Sequence, residues 1–200
     1  MRKEVRRVFF MTQEKTSGYF EPKQVDSRHK ILKEYRELAG QVPPVPEKDW
    51  GVIWALTGPE ETFEEEAKAH PGEEHKTTEY NQTKRRFETA LRVAREVTAL
   101  RSGKEVAEVT PADIKERGPV VYWGGKAAVN DYFKRIVESG EFEKSYDFPV
   151  ENIKITESRT IQHTGHQFEE FPSDLAPEGE KVVIISDLYH LPRVRRYMKM

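Results

Sequence analysis

Short runs of consecutive apolar residues alternate along the chain with stretches in which apolar residues recur every three or four positions. The first run, Val52-Ile53-Trp54-Ala55-Leu56, is stopped by Thr57-Gly58-Pro59. A continuous apolar run of this length suits a strand buried on both faces. Val120-Val121-Tyr122-Trp123, closed by Gly124-Gly125, predicts a second strand, Ile153-Lys154-Ile155-Thr156-Glu157 a third, and Val182-Val183-Ile184-Ile185 a fourth. Residues 4–12 also read as a short strand, interrupted by Arg6-Arg7.

Helical periodicity fills the intervals. Over 26–42, Ile31, Leu32, Tyr35, Leu38, Ala39 and Val42 trace one face behind a cap at Asp26 or Ser27. Over 80–102, Phe87, Ala90, Leu91, Ala94, Val97 and Thr98 form a stripe, Lys84, Arg85, Arg92 and Arg95 are expected to face away, and Gly103 closes the helix. Thr110-Pro111-Ala112-Asp113 has the cap, proline and acid of a helix start, and Gly118 ends that short helix. Val129, Tyr132, Phe133, Ile136 and Val137 mark another helix, and two more are predicted around 164–171 and from Leu191 to Met200.

The rigid Pro43-Pro44-Val45-Pro46 stretch divides an N-terminal extension, 1–46, from a domain over 47–200. Alternation of strand and helix in that domain predicts a mainly parallel sheet with helices on both faces. All strand C-termini then reach one edge, where such folds bind ligands. Thr57-Gly58, Gly124-Gly125, Glu157 to Thr164, and Ser186 to Arg193 are expected to converge there.

Composition narrows the chemistry. The 200 residues carry 33 Lys+Arg against 35 Asp+Glu, a net charge of −2 that argues against a strongly basic nucleic-acid binder. Cysteine is absent, which excludes disulfides, thiolate metal sites and a cysteine nucleophile. No apolar stretch reaches the ~18 residues of a membrane-spanning helix, and the expectation is a soluble cytoplasmic protein with no membrane partner. Acid is concentrated between Pro59 and Glu79, where eight Glu face two Lys; a solvated loop or a lid over a site would each account for it.

Ser186-Asp187-Leu188-Tyr189-His190-Leu191-Pro192-Arg193 is the segment richest in chemistry. Backbone N–H groups at a helix start, with His190 and Arg193, would suit a phosphate or carboxylate. The plainer alternative has His190 capping the helix and Arg193 in a surface ion pair. Gly124-Gly125 before a helix could cradle a phosphate, with Lys126 adding charge, but it lacks the full glycine-rich signatures. His163 and His166 lie three apart without a third ligand, so no metal is expected and they read as pocket lining or surface residues. Were the site catalytic, His163, His166 and His190 would supply acid–base chemistry near neutrality, with Glu157 orienting one of them. Trp54, Tyr122 and Trp123 read as core.

Tyr189-His190-Leu191-Pro192-Arg193 after a hydrophobic strand resembles the YHxxR segment of the YdcF/SanA/ElyC family of bacterial and archaeal domains of undefined function. Other pieces fall in family order over about residues 49–197: the strand at 52–56, Arg86 and Ala90 on a helix, Gly124-Gly125, and Glu157 before a Ser/Thr-rich turn. The resemblance implies a Rossmann-like three-layer α/β/α domain. Its polar pocket would use Glu157 and His190 for catalysis and Thr57, Gly58, Gly124, Gly125, Lys126, Thr160, His163, Thr164, Ser186 and Arg193 for binding. A small anionic or nucleotide-like ligand is implied, S-adenosylmethionine among them, and a homodimer is compatible. The chain departs from the family in its first loop, in Lys126-Ala127-Ala128 where an acid is usual, and in Thr160-Ile161-Gln162-His163-Thr164. A non-catalytic interaction module with an eroded pocket is the alternative.

Overall fold

Strand β2 (Trp50–Leu56) is buried along its whole length, as a run apolar on both faces requires. In the computed structural model the described residues are 7–10, 33, 37, 45–57, 68, 71–72, 78–176, 180–187 and 190–198. Of the helix expected over 26–42, Lys33 and Glu37 are described and helical; the rest lies outside the described residues, as does most of the acidic 59–79 segment.

β1 (Arg7–Phe10), β3 (Val120–Gly124), β4 (Ile153–Ile155) and β5 (Lys181–Ile185) join β2 in one sheet of order β1-β5-β2-β3-β4, parallel throughout. β1 comes from the N-terminal segment and pairs Phe9 with Ile184 at the edge. The register of β2 on β5 shifts between Trp50 and Val52, around Gly51. A Cβ at Gly51 would collide with the Glu180 side chain, so a residue without one stands there.

Helices cover both faces. On one, α1 (Thr78–Ser102) lays Phe87, Ala90, Leu91, Ala94 and Val97 over Ile53, Ala55, Val121, Trp123, Val183 and Ile185. α2 (Pro111–Arg117), α3 (Ala127–Glu138) and α4 (Glu141–Tyr146) add Ile114, Val129, Phe133 and Phe142 to this core. Trp123 stacks on Phe133 at 4.1 Å, and such pairs contribute about 0.5–1.5 kcal/mol beyond area burial. The other face is thinner. Val52, Trp54, Leu56, Tyr122, Val182 and Ile184 meet Val194 of α6 (Leu191–Tyr197), Phe168 of α5 (Thr164–Glu169), and Phe171 beyond it. The result is the expected Rossmann-like α/β/α architecture, with Trp54, Tyr122 and Trp123 in its core.

Local signals act as their chemistry dictates. Thr110 and Asp113 form a reciprocal capping box at α2, Pro111 follows the cap, and Gly118 ends the helix with its N–H on Ile114 O at 2.7 Å. Arg95 departs from the expected outward orientation. Its guanidinium donates to the carbonyls of Val109, Tyr146 and Asp147, because α4 ends in a left-handed turn at Asp147 whose carbonyls need donors. Among the described residues no helix is long and apolar enough to cross a membrane.

Candidate functional site

The chain leaves β2 through α1 on one face and leaves β5 through α6 on the other, and β2 and β5 are neighbours. The strand order therefore reverses between them. In open parallel sheets the crevice outside the strand C-termini at such a reversal is the usual ligand site. Leu56 and Thr57 end β2 there, and Ser186 and Asp187 follow β5.

Arg86 of α1 fills this position. It is fully buried; Nε donates to Asp187 Oδ2 at 2.8 Å, Nη2 donates to the same oxygen, and Nη1 donates to Leu56 O at 3.0 Å. A guanidinium removed from water costs several kcal/mol, which only a close carboxylate and satisfied N–H groups offset. The forked donor set of arginine makes both contacts at once. Asp187 also organises the turn that follows, since its carbonyl accepts from His190 N at 2.9 Å and Leu191 N at 3.3 Å.

His190 is 4% exposed. Burial, with the nearby Arg86 and Arg193 cations, pushes its pKa down to about 4 against the opposing pull of Asp187. The imidazole is therefore neutral at pH 7, outside the near-neutral acid–base range expected for an unperturbed histidine. Beside it Ser186 and Thr57 are buried, and Arg193 is exposed without an ion pair among the described residues.

Of the remaining sequence-predicted residues, Glu157 lies apart from this point. Glu157 is 83% exposed on its side chain and pairs with Lys134 Nζ at 2.6 Å. It follows β4, three interstrand spacings from β5, or roughly 14 Å, too far to orient His190. Gly125 is bound on both sides by buried Asn130, whose Oδ1 accepts from Gly125 N and Trp123 Nε1 at 3.0 Å and whose Nδ2 donates to Gly125 O at 2.6 Å. That N–H is occupied and does not face an anion, and Gly124 beside it is buried against the Tyr122 ring. Lys126 caps α3 in a half-buried position.

Thr160 donates to Glu170, His163 caps α5 by accepting from His166 N, and the two histidine rings lie 3.8 Å apart. Thr164 is buried in the first turn of α5. At α6, the His190 and Leu191 N–H groups offered to an anion are taken by the Asp187 carbonyl, and Pro192 has none. Gly58 lies outside the described residues. Among the described residues no group of three potential metal ligands converges.

Sequence reasoning placed Asp187 within the converging Ser186 to Arg193 segment and Arg86 on the helix behind β2, but assigned neither a role in the site. The signal was present: Arg86 is a charged residue on the face of α1 that also carries Ala90, Val93 and Val97. No protein-family model, curated protein or solved structure matches the chain.

Proposed function

We propose that the crevice between the C-terminal ends of β2 and β5 binds a small anionic or nucleotide-like ligand. The observation that carries this reading is the buried Arg86–Asp187 pair set at the reversal of strand order, with His190, Ser186 and Thr57 around it. A buried ion pair is a poor device for stability alone, and strongly perturbed groups cluster where ligands are handled. Arg193 supplies the accessible positive charge, and the neutral His190 imidazole supplies a hydrogen bond. The YHxxR resemblance supports the same placement and makes S-adenosylmethionine the first compound to try.

The experiment is calorimetric titration of S-adenosylmethionine, nucleotides and sugar phosphates, after a thermal-shift screen of the same panel. Loss of a charge-assisted hydrogen bond costs about 1.5–3 kcal/mol, so Arg193→Ala should weaken an anionic ligand about tenfold to a hundredfold. Unchanged affinity would remove Arg193 from the site.

Two observations favour the alternative of a non-catalytic interaction module: Glu157 is turned out to Lys134, and the Gly125 N–H is tied to Asn130. Silence across the whole panel, with a stable homodimer in solution, is the result that reading expects.

A further inference from the structure

Among the buried polar atoms on the thinner face of the sheet without a hydrogen-bond partner are three of different residue types, Trp54 Nε1, Gln167 Oε1 and Ser186 Oγ. Their residues are 2%, 3% and 0% exposed. Buried polar groups in folded proteins are almost always satisfied, and orphans call for a reason. These three share one layer. Trp54 packs on Phe168, the neighbour of Gln167 in α5, with ring centroids 4.9 Å apart. The alternation that puts Val182 and Ile184 on this face carries Ser186 to it as well.

What covers them is lightly held. From Ser158 to Ala176 the hydrogen bonds run within the segment itself: Thr160 to Glu170, Gln162 to His166, His166 to His163, and Leu175 to Pro172. Among the described residues two leave it, from Arg159 to Asp131, an exposed pair, and from Ser158 N to Thr156 Oγ1 just ahead of the segment. Otherwise the cover rests on apolar contact: Ile161 is buried, Leu175 and Ala176 pack against this face, and rings meet between Phe168 and Trp54, Phe171 and Trp54, Phe171 and Tyr122, and Phe168 and Tyr197. A segment with few outward bonds opens at lower cost than the sheet beneath it.

We propose that 158–176 is a displaceable cover, and that the layer beneath it receives a neutral, amino-bearing heteroaromatic ring of the adenine or cytosine kind. Trp54 Nε1 can only donate, Gln167 Oε1 only accepts, and the Ser186 hydroxyl does either. A ring nitrogen beside an exocyclic amino group supplies the matching acceptor and donor. Trp54, Phe168 and Phe171 supply the flat faces on which such a ring stacks. Ser186 adjoins Asp187, so the compartment opens on the crevice proposed above. The inference rests on that nucleotide-like reading and assigns its base end.

The test titrates the full chain with adenosine, cytidine and uridine, which carry no phosphate, and separately with ribose 5-phosphate. Adenosine or cytidine should bind saturably and change tryptophan fluorescence, with uridine at least tenfold weaker because its donor and acceptor pattern is reversed. Gln167→Leu and Ser186→Ala should each weaken nucleoside binding fivefold or more while leaving the melting midpoint unchanged or raised, since each removes an unsatisfied buried group. Trp54→Phe should abolish the fluorescence change. Hydrogen exchange at 164–169 should slow when nucleoside is bound.

Absence of nucleoside binding, or equal affinity in Gln167→Leu and Ser186→Ala, overturns the base compartment. Ribose 5-phosphate binding that depends on Arg193, without nucleoside binding, does so while leaving the anion site standing. Nucleoside binding without any ribose 5-phosphate binding supports the compartment and removes the anion site.

Discussion

Arg86 and Asp187 meet across 101 intervening steps of chain, with Nε 2.8 Å from Oδ2, and join the first helix behind β2 to the turn behind β5. The contact closes the crevice from one side and fixes the carbonyl that seats His190 and Leu191.

Replacing one member of the pair takes a close opposite charge from the other. Arg86→Met is expected to cost about 3–5 kcal/mol in urea denaturation, and Arg86→Lys to recover only part, because a single ammonium cannot span both Leu56 O and Asp187. The double variant Arg86→Met/Asp187→Leu should lose less than the sum of the single variants. Additive losses would mean that the two residues do not act on each other.

His190 makes stability depend on pH in a defined direction. Its folded-state pKa of about 4 lies below the ordinary value near 6.5, so between those values the unfolded chain binds more protons. The contribution is complete above about pH 6.5 and is lost as pH falls toward 4, with a slope of at most about 1.4 kcal/mol per pH unit. Asp113 and Glu151, held below the ordinary carboxylate range mainly by hydrogen bonds from Lys104 and Lys115, lose their contributions only at lower pH. Urea midpoints at pH 7.5 and 5 should therefore converge in His190→Gln relative to the parent chain; parallel shifts would contradict the assignment.

Asn130 holds the β3 turn through three hydrogen bonds, each inaccessible to water. Asn130→Ala leaves two donors and a carbonyl unsatisfied and is expected to destabilise by about 2–4 kcal/mol. Chemical denaturation followed by tryptophan fluorescence reads this directly, since Trp123 is one of the bonded groups.

Glu157 provides a negative control for the site. Glu157→Gln should shift the affinity of any crevice ligand by less than about twofold, because surface ion pairs contribute little and this one lies roughly three strands away. A tenfold loss would restore Glu157 to the site.

Much of this architecture was legible because burial writes itself into local pattern. Val52 to Leu56 and Val182 to Ile185 are apolar on both faces, and Phe87, Ala90 and Val97 keep helical step, so each predicts its own element without reference to the rest of the chain. The short α4 escaped notice because Phe142 is its one fully buried apolar residue, too few for a period. The site was less legible for a different reason. Sequence places residues at one sheet edge but not along it, and strand order separates Glu157 from His190 while bringing Arg86 to Asp187. Backbone donors at Gly125 and His190 looked available in the sequence, where their partners Asn130 Oδ1 and Asp187 O could not be identified.

The position of β5 has a consequence for synthesis. Residues 181–185 follow every other described strand in the chain, yet they lie between β1 and β2. A nascent polypeptide that has emerged as far as β4 can pair β2 with β3 and β3 with β4, but β1 lacks its β5 neighbour and Arg86 lacks Asp187. Assembly then concludes by inserting a strand into a gap. Truncation ahead of residue 181 would split the sheet instead of shortening it.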